Sequence, residues 1–365
     1  MRRITGFVVA LLLLMALPAT TAASSGGDWA HPDFKLVRPH VTTSPTGLSP
    51  AKVKGAYSFS TSLTAGAGKT IAIVDAYDDP TAEADLGVFS TAFGLPACTT
   101  ANGCFKKVSQ TGTTRLPRSN GGWALEISLD VQWAHAIAPG ANILLVEATS
   151  ATTANLMAAE DYARAHAQYV SNSWGGSESR SETSSDSHFK QAGVSFFVSA
   201  GDAGLPAEWP SSSPNVISVG GTTLHFDASG NLTSETGWSD GGGGCSRYET
   251  ATAAQSAFSG YAQVNCGGKR ATPDVSLDAD PASGVSVYDS TAYNGSKGWW
   301  VVGGTSASSP MWAARSADAG IVVDASLVYG STISFRDITS GNNGASCLVG
   351  YDLCSGRGSW TGATP

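Results

Sequence analysis

Ser306 stands in the run GGTSASSP, residues 303–310, among side chains too small to build a core. The preceding KGWWVVGG reads as a buried strand and the following SASSPMWAARSADAG as a helix, which puts the serine at a strand-to-helix turn. A helix N-terminus offers unpaired N–H groups and a positive field, and both favour an alkoxide and a developing oxyanion. Glycines beside it let backbone and substrate come close. The plain alternative is a serine that only caps its helix.

A nucleophilic serine needs a base. A Ser-His-Asp protease on a parallel sheet typically carries His-Gly-Thr, yet the six histidines here are followed by Pro32, Val41, Ala136, Ala167, Phe189 and Phe226. A carboxylate is the other choice. In GGWALEISLDVQWAHAIAPG, Glu126 and Asp130 are four apart, on one face of a predicted helix. Apolar neighbours surround them, and no Lys or Arg lies between Arg118 and Arg164. Burial and mutual repulsion predict that at least one keeps its proton well above the usual carboxylate range, whereas a solvated surface pair would not. Asp202, between glycines in FFVSAGDAG, either accepts N–H bonds in a tight turn or, protonated, donates to an oxyanion.

These residues need a scaffold. TIAIVDAY, ANILLVEAT, YVSNSW, VSFFVSAG and NVISVGG read as buried strands, alternating with helices over 81–94, 121–136 and 152–167. That alternation predicts an α/β fold: one parallel sheet with helices on both faces and sites at the carboxyl ends of strands. Asp75, Trp174 and Asp202 fall at such ends. From Asp227 to about Tyr293, including RATPDVSLDADPASG, the sequence reads as long surface loops that could line a groove.

Composition sets the class. With 365 residues and 42% apolar content, one large domain is the simpler organisation. The net charge of −8 argues against a nucleic-acid partner. Met1-Arg2-Arg3, the apolar run from Phe7 to Leu17 and the small residues that follow read as a secretory signal peptide cut near Ala22 or Ala23, too short to anchor in a membrane. Six cysteines allow fifteen connectivities, and in an oxidising compartment the local groups Cys98/Cys104, Cys245/Cys266 and Cys347/Cys354 are the natural pairs.

Taken together, GGTSASSP, GWALEISLD and SAGDAG resemble the motifs of the sedolisin family, the serine-carboxyl peptidases, over about Thr70 to Trp360. The first matches the family's SGTSxxxP with Gly303 in place of the leading serine. The resemblance implies a subtilisin-like fold, with Ser306 as nucleophile, Glu126 as general base, Asp130 orienting it and Asp202 polarising the scissile carbonyl. It also implies that Asp75 extends the proton network toward Trp174. FRDITSGNNGASCLVGYDLCSGRGSW resembles the family's calcium loop, implying a Ca2+ ion held by Asp337 and Asp352 carboxylates and the carbonyls of Ile338, Leu348 and Gly350. The plain alternative is a disulfide-closed surface loop.

The expected organisation is a signal peptide over 1–23, a short N-terminal arm over 24–68 and a peptidase domain over 69–365. Sedolisins typically carry a long N-terminal propeptide; here the exported chain is expected to begin near Ala23 or Ser24 and to act without losing a folded one. The segment between Met311 and Phe335 is also short for the family. The function so implied is a secreted, monomeric, acid-active peptidase working on proteins or peptides. Endopeptidase and tripeptidyl-peptidase action both stay open. The competing function is a secreted binding protein on an inactive peptidase scaffold, against which the intact Ser306, Glu126, Asp130 and Asp202 argue.

Overall fold

A computed structural model describes residues 29–36, 41–330 and 333–362. The signal-peptide segment lies outside the described residues. A ten-stranded sheet forms the centre. Its path runs Phe335–Arg336, Ser359–Trp360, Val275–Asp278, Ile217–Phe226, Ser195–Ser199, Tyr169–Asn172, Thr70–Ala76, Asn142–Ala148 and Phe105–Ser109, with Leu232–Gly237 paired to Ile217–Phe226. From Ser359–Trp360 to Phe105–Ser109 every pairing along that path is parallel. The strands are buried on both faces, as β-branched runs such as TIAIVDA require.

Two helices cross this sheet and carry the candidate chemistry. Gly121–Ile137 begins where Asn120 caps it, its side chain accepting from the N–H groups of Gly122 and Trp123 at 3.0 and 3.2 Å. From Trp123 to Ile137 every residue is buried, the polar Glu126, Ser128, Asp130, Gln132 and His135 included. It packs against Thr305–Ala319 on one side and the hairpin strand Val285–Tyr293 on another. Gln132 locks that second contact, donating to the Tyr288 carbonyl at 2.6 Å and accepting from its N–H at 2.9 Å.

The region after Asp227 departs from the expected surface loops. Val275–Asp278 is a fully buried parallel strand of the main sheet. Just before it, Arg270 and Asp274 form a buried ion pair, with Nη1 donating to Oδ1 at 2.7 Å and Tyr329 also donating to Asp274. Such a pair is stable only with its remaining polar atoms satisfied, and the charged letters of RATPD disguised this core segment as a loop. The strand before Ser306, Ser296–Gly303, is buried toward its end as expected, but it belongs to an antiparallel hairpin with Val285–Tyr293 rather than to the parallel sheet.

The three local disulfides, Cys98–Cys104, Cys245–Cys266 and Cys347–Cys354, are all formed. Part of the arm is integral to the fold: the helix Pro50–Tyr57 delivers Val53 and Tyr57 fully into the core. Among the described residues, no helix is long and apolar enough to cross a membrane.

Candidate active site

The parallel strands Ser195–Ser199, Tyr169–Asn172 and Thr70–Ala76 lie side by side, so their carboxyl ends share one edge. Asp202 and Ser173 follow two of those ends, and Asp75 is the penultimate residue of the third strand. The N-terminus of the Thr305–Ala319 helix comes to the same place. Ser306 is its second residue and is fully buried. Pro310, four residues on, has no N–H to give the Ser306 carbonyl, and the Ser173 hydroxyl donates to that oxygen instead at 3.4 Å. Ser309 bonded to Ser171 at 2.9 Å, and Ser308 to the Gly220 carbonyl at 3.0 Å, pin the helix to the sheet.

Glu126 and Asp130 are both completely buried. Burial pushes the Glu126 carboxyl well above its ordinary range, and Asp130 and Asp75 push it further, while Ser306 beside it acts in the opposite sense. Burial likewise raises Asp130, with Asp75 adding to it and Ser173 and Glu126 opposing. The approaches are loose: none of the four carboxylate oxygens makes a well-aligned hydrogen bond among the described residues. Asp75 is also fully buried, and its carboxyl is raised by burial. Three carboxyls so close in an apolar site cannot all ionise, so they hold shared protons. The expected link from Asp75 to Trp174 takes a different form. The Trp174 indole donates to the Val74 carbonyl at 2.8 Å, which anchors the ring next to Asp75 without touching its carboxylate.

Asp202 does two things at once. Its Oδ1 accepts from the Thr305 N–H at 2.7 Å and the Thr305 hydroxyl at 2.9 Å, so it caps the serine's helix. Its Oδ2 has no hydrogen-bond partner among the described residues. Burial first, then Asp33, raises this carboxyl well above its usual range. With Oδ1 occupied as acceptor, the proton belongs on Oδ2, the geometry of a donor. Gly304 shows where that donor points. At φ +105°, a Cβ on Gly304 would lie 2.6 Å from Asp202 Oδ2 and 2.2 Å from the Asp33 carbonyl oxygen.

No described histidine bonds to Ser306. His135 is buried against the Pro96 carbonyl at 2.9 Å, and His166, His188 and His225 are held by Tyr162, Asp161 and Thr236. His31 faces Asp33. Ser306, Glu126 and Asp130 lie together, and Asp202 bonds to Thr305, the residue before Ser306. Sequence reasoning missed Asp33, Ser199 and Glu208, which adjoin this centre. Asp33 and Glu208 lie in stretches without periodicity, and Ser199 looks like any strand residue.

The C-terminal loop carries Asp337 and Asp352, each held by backbone N–H groups. Asp337 accepts from the Gly350 N–H at 2.9 Å, and Asp352 accepts from Leu348, Cys354 and Ser355. The carbonyl oxygens of Ile338, Leu348 and Gly350 accept no hydrogen bond among the described residues. Two carboxylates with three free carbonyls are an all-oxygen donor set of the kind a hard divalent cation takes.

Comparison with known proteins bears out the subtilisin-like fold. The model of the subtilase family, described as Peptidase_S8, matches residues 118–319. Kumamolisin from Bacillus sp. (strain MN-32) is 32% identical, over 87% of this chain and 63% of the relative. Sedolisin from Pseudomonas sp. (strain 101) is 34% identical over 46% of this chain and 32% of the relative. The chain thus spans less than two thirds of the length of these curated relatives. A solved structure of Pseudomonas sedolisin, a serine-carboxyl proteinase complexed with pseudo-iodotyrostatin, is similar with a TM-score of 0.74 at 28% identity, covering 87% of this chain and 96% of that one.

Proposed function

Because the chain belongs to the subtilase family, in its sedolisin branch, we propose that it is a secreted serine-carboxyl peptidase, an acid-active endopeptidase of protein or peptide substrates. The observation that carries this reading is Ser306 beside buried Glu126, with Asp202 bonded to the adjoining Thr305 and its Oδ2 unpartnered among the described residues. In the proposed reaction the Ser306 Oγ attacks the scissile carbonyl carbon as its proton passes to Glu126. Asp130 holds and shares that proton. Asp202 Oδ2–H and the Ser306 N–H donate to the oxyanion. Glu126 then protonates the leaving amine, and water hydrolyses the ester on Ser306. The decisive test is hydrolysis of an unstructured protein in acid by the purified chain. Equal turnover by a Ser306→Ala variant would refute the reading.

The glycine at 304 makes a sharper demand. A methyl group there collides with the Asp33 carbonyl oxygen and with Asp202 Oδ2. Gly304→Ala is expected to lower kcat/KM by about 100-fold or more, the scale of an ångström-level misplacement of reacting groups. Steady-state kinetics on a peptide substrate check it, with circular dichroism confirming the fold.

We further propose that Asp337, Asp352 and the carbonyls of Ile338, Leu348 and Gly350 bind Ca2+, and that Cys347–Cys354 braces the loop. Burial raises the Asp352 carboxyl, a cost that a bound cation would offset. An ion that binds only the folded state stabilises it by about 2.7 kcal/mol at a hundredfold excess over Kd. Chelator should therefore lower Tm by several degrees, and Asp352→Ala should abolish that chelator response. An identical melting curve with and without chelator removes the ion from this account.

A further inference from the structure

Ser171, Asn172 and Ser173 lead out of the strand Tyr169–Asn172 into the catalytic centre, and alternation along a strand sends neighbours to opposite faces of the sheet. Ser171 bonds to Ser309 at 2.9 Å, so it and Ser173 lie on the face of the serine's helix. There Ser173 touches both parts of the chemistry. Its hydroxyl donates to the Ser306 carbonyl at 3.4 Å and also acts on Asp130, and its carbonyl accepts from the Ser306 hydroxyl at 3.5 Å. The Trp174 indole pins the far side of Ser173 by donating to the Val74 carbonyl. Asn172, on the near side, faces the other way with Val170, toward the helix Thr153–His166.

Glu160 meets Asn172 from that helix. It stands four residues after Leu156 and three before Ala163, both buried, so helical spacing aims it at the sheet. Glu160 and Asn172 are both fully buried. Neither oxygen of Glu160 and neither amide atom of Asn172 makes a well-aligned hydrogen bond among the described residues. The side chain that reaches Glu160 is Asn172, and its bond opposes the rise that burial imposes on the carboxyl. Arg164, one turn on, also opposes that rise, and Asp161 adds to it. Both are committed elsewhere: Arg164 to Asp161 at 2.6 Å and to the carbonyls of Ser187 and Lys190 at 2.7 and 3.0 Å, and Asp161 also to His188 at 2.9 Å. With its proton the Glu160 carboxyl offers one donor and one acceptor, the complement of the C=O and N–H of a primary amide. Burial holds the carboxyl up to about 8, so this is the form present in acid.

We infer that Glu160 is a positioning residue for the reaction, acting from the back of the sheet through Asn172. The inference rests on the peptidase reading above. Asn172 and Ser173 share a peptide bond, so the hold on the Asn172 side chain fixes the direction in which Ser173 projects toward Ser306 and Asp130. Paired with Glu160, the amide has one arrangement that satisfies it. Without Glu160 it is a buried polar group with no partner, and it turns or draws the strand end toward another. A shift of about an ångström at Ser173 is then passed to the nucleophile and its acid pair. Glu160 itself touches no reacting atom and exchanges no proton with the substrate.

The test is steady-state and single-turnover kinetics of the purified chain on a peptide substrate in acid, with thermal unfolding measured beside it. Glu160→Leu should lower kcat about tenfold or more while KM moves little. Glu160→Gln keeps a donor and an acceptor and should restore most of the loss. Glu160→Asp, one methylene short of Asn172, should also lose kcat, and it carries the test if the leucine chain does not fold. Asn172→Leu should slow the enzyme as Glu160→Leu does, and the double variant should lose no more than either, because the two side chains act as one unit. Normal kcat in the leucine or aspartate chain, or a loss that glutamine does not restore, overturns this inference and leaves the peptidase reading standing. So does a loss that vanishes at a lower temperature where the variant is fully folded, since Glu160 would then serve stability alone. A wild-type chain that hydrolyses no peptide defeats the peptidase reading first, and this inference with it.

Discussion

Glu126→Gln is expected to reduce kcat by 10²–10⁴-fold, the usual worth of a positioned general base, and Ser306→Ala is expected to leave no acyl-enzyme at all. The glutamine keeps the shape of the side chain in a site where every neighbour is buried. What it loses is the ability to take the serine proton. Glutamine also removes one of three crowded acids, so the fold should tolerate it; burial of a neutral amide costs less than burial of a charge. Asp202 gives the internal control. Asp202→Asn retains a donor and can still cap Thr305 through its carbonyl, whereas Asp202→Ala loses both. The alanine variant should lose about 10²–10³-fold in kcat, as for removal of one oxyanion donor, and the asparagine variant should lose less. Active-site titration with single-turnover kinetics checks all four. A Glu126→Gln enzyme with near-normal kcat would mean that another group takes the proton.

Much of this site was legible because its motifs are local. Ser306 is marked by glycines before it and a proline four residues after it, and each has a structural reason at the turn. Glu126 and Asp130 are marked by the helical spacing of two acids in an apolar stretch. The parallel strands were legible because burial on both faces makes them continuous apolar runs. Residues 270–278 were not, because their polarity is satisfied by partners distant in sequence: Arg270 also reaches the carbonyl of Ser213, and Asp274 accepts from the Ser218 N–H at 2.7 Å. The arm was opaque for another reason. HPDFKL has no periodicity of its own, since its pairing partners near Trp174 and Val302 supply the order.

Activity should peak in acid and fall as pH approaches neutrality, because two separate protons are needed. One is shared among Glu126, Asp130 and Asp75, whose carboxyls are all raised by burial, with Asp130 and Asp75 raising Glu126 further and Asp75 raising Asp130. While that proton is present the group passes it between serine and leaving amine; once pH rises through the folded-state values it is lost. The other sits on Asp202, which donates to the oxyanion only when protonated. Asp33 raises this group further and Lys35 opposes it. The fold leans the same way. Burial lifts Glu160 from 4.5 to about 8 and Glu147 to about 9. For groups raised in the folded state, the stability they contribute is full below the unfolded value and is lost as pH climbs through the folded one. A His-based triad would behave oppositely, gaining activity as its imidazole deprotonates near pH 6–7. The measurement is a pH–rate profile of kcat/KM on an unstructured protein, with Glu126→Gln run in parallel. Activity that climbs to a plateau above neutrality, with the variant still active, would exclude a carboxyl-based mechanism, because none of Glu126, Asp130, Asp75 and Asp202 could then be holding the proton that the chemistry uses.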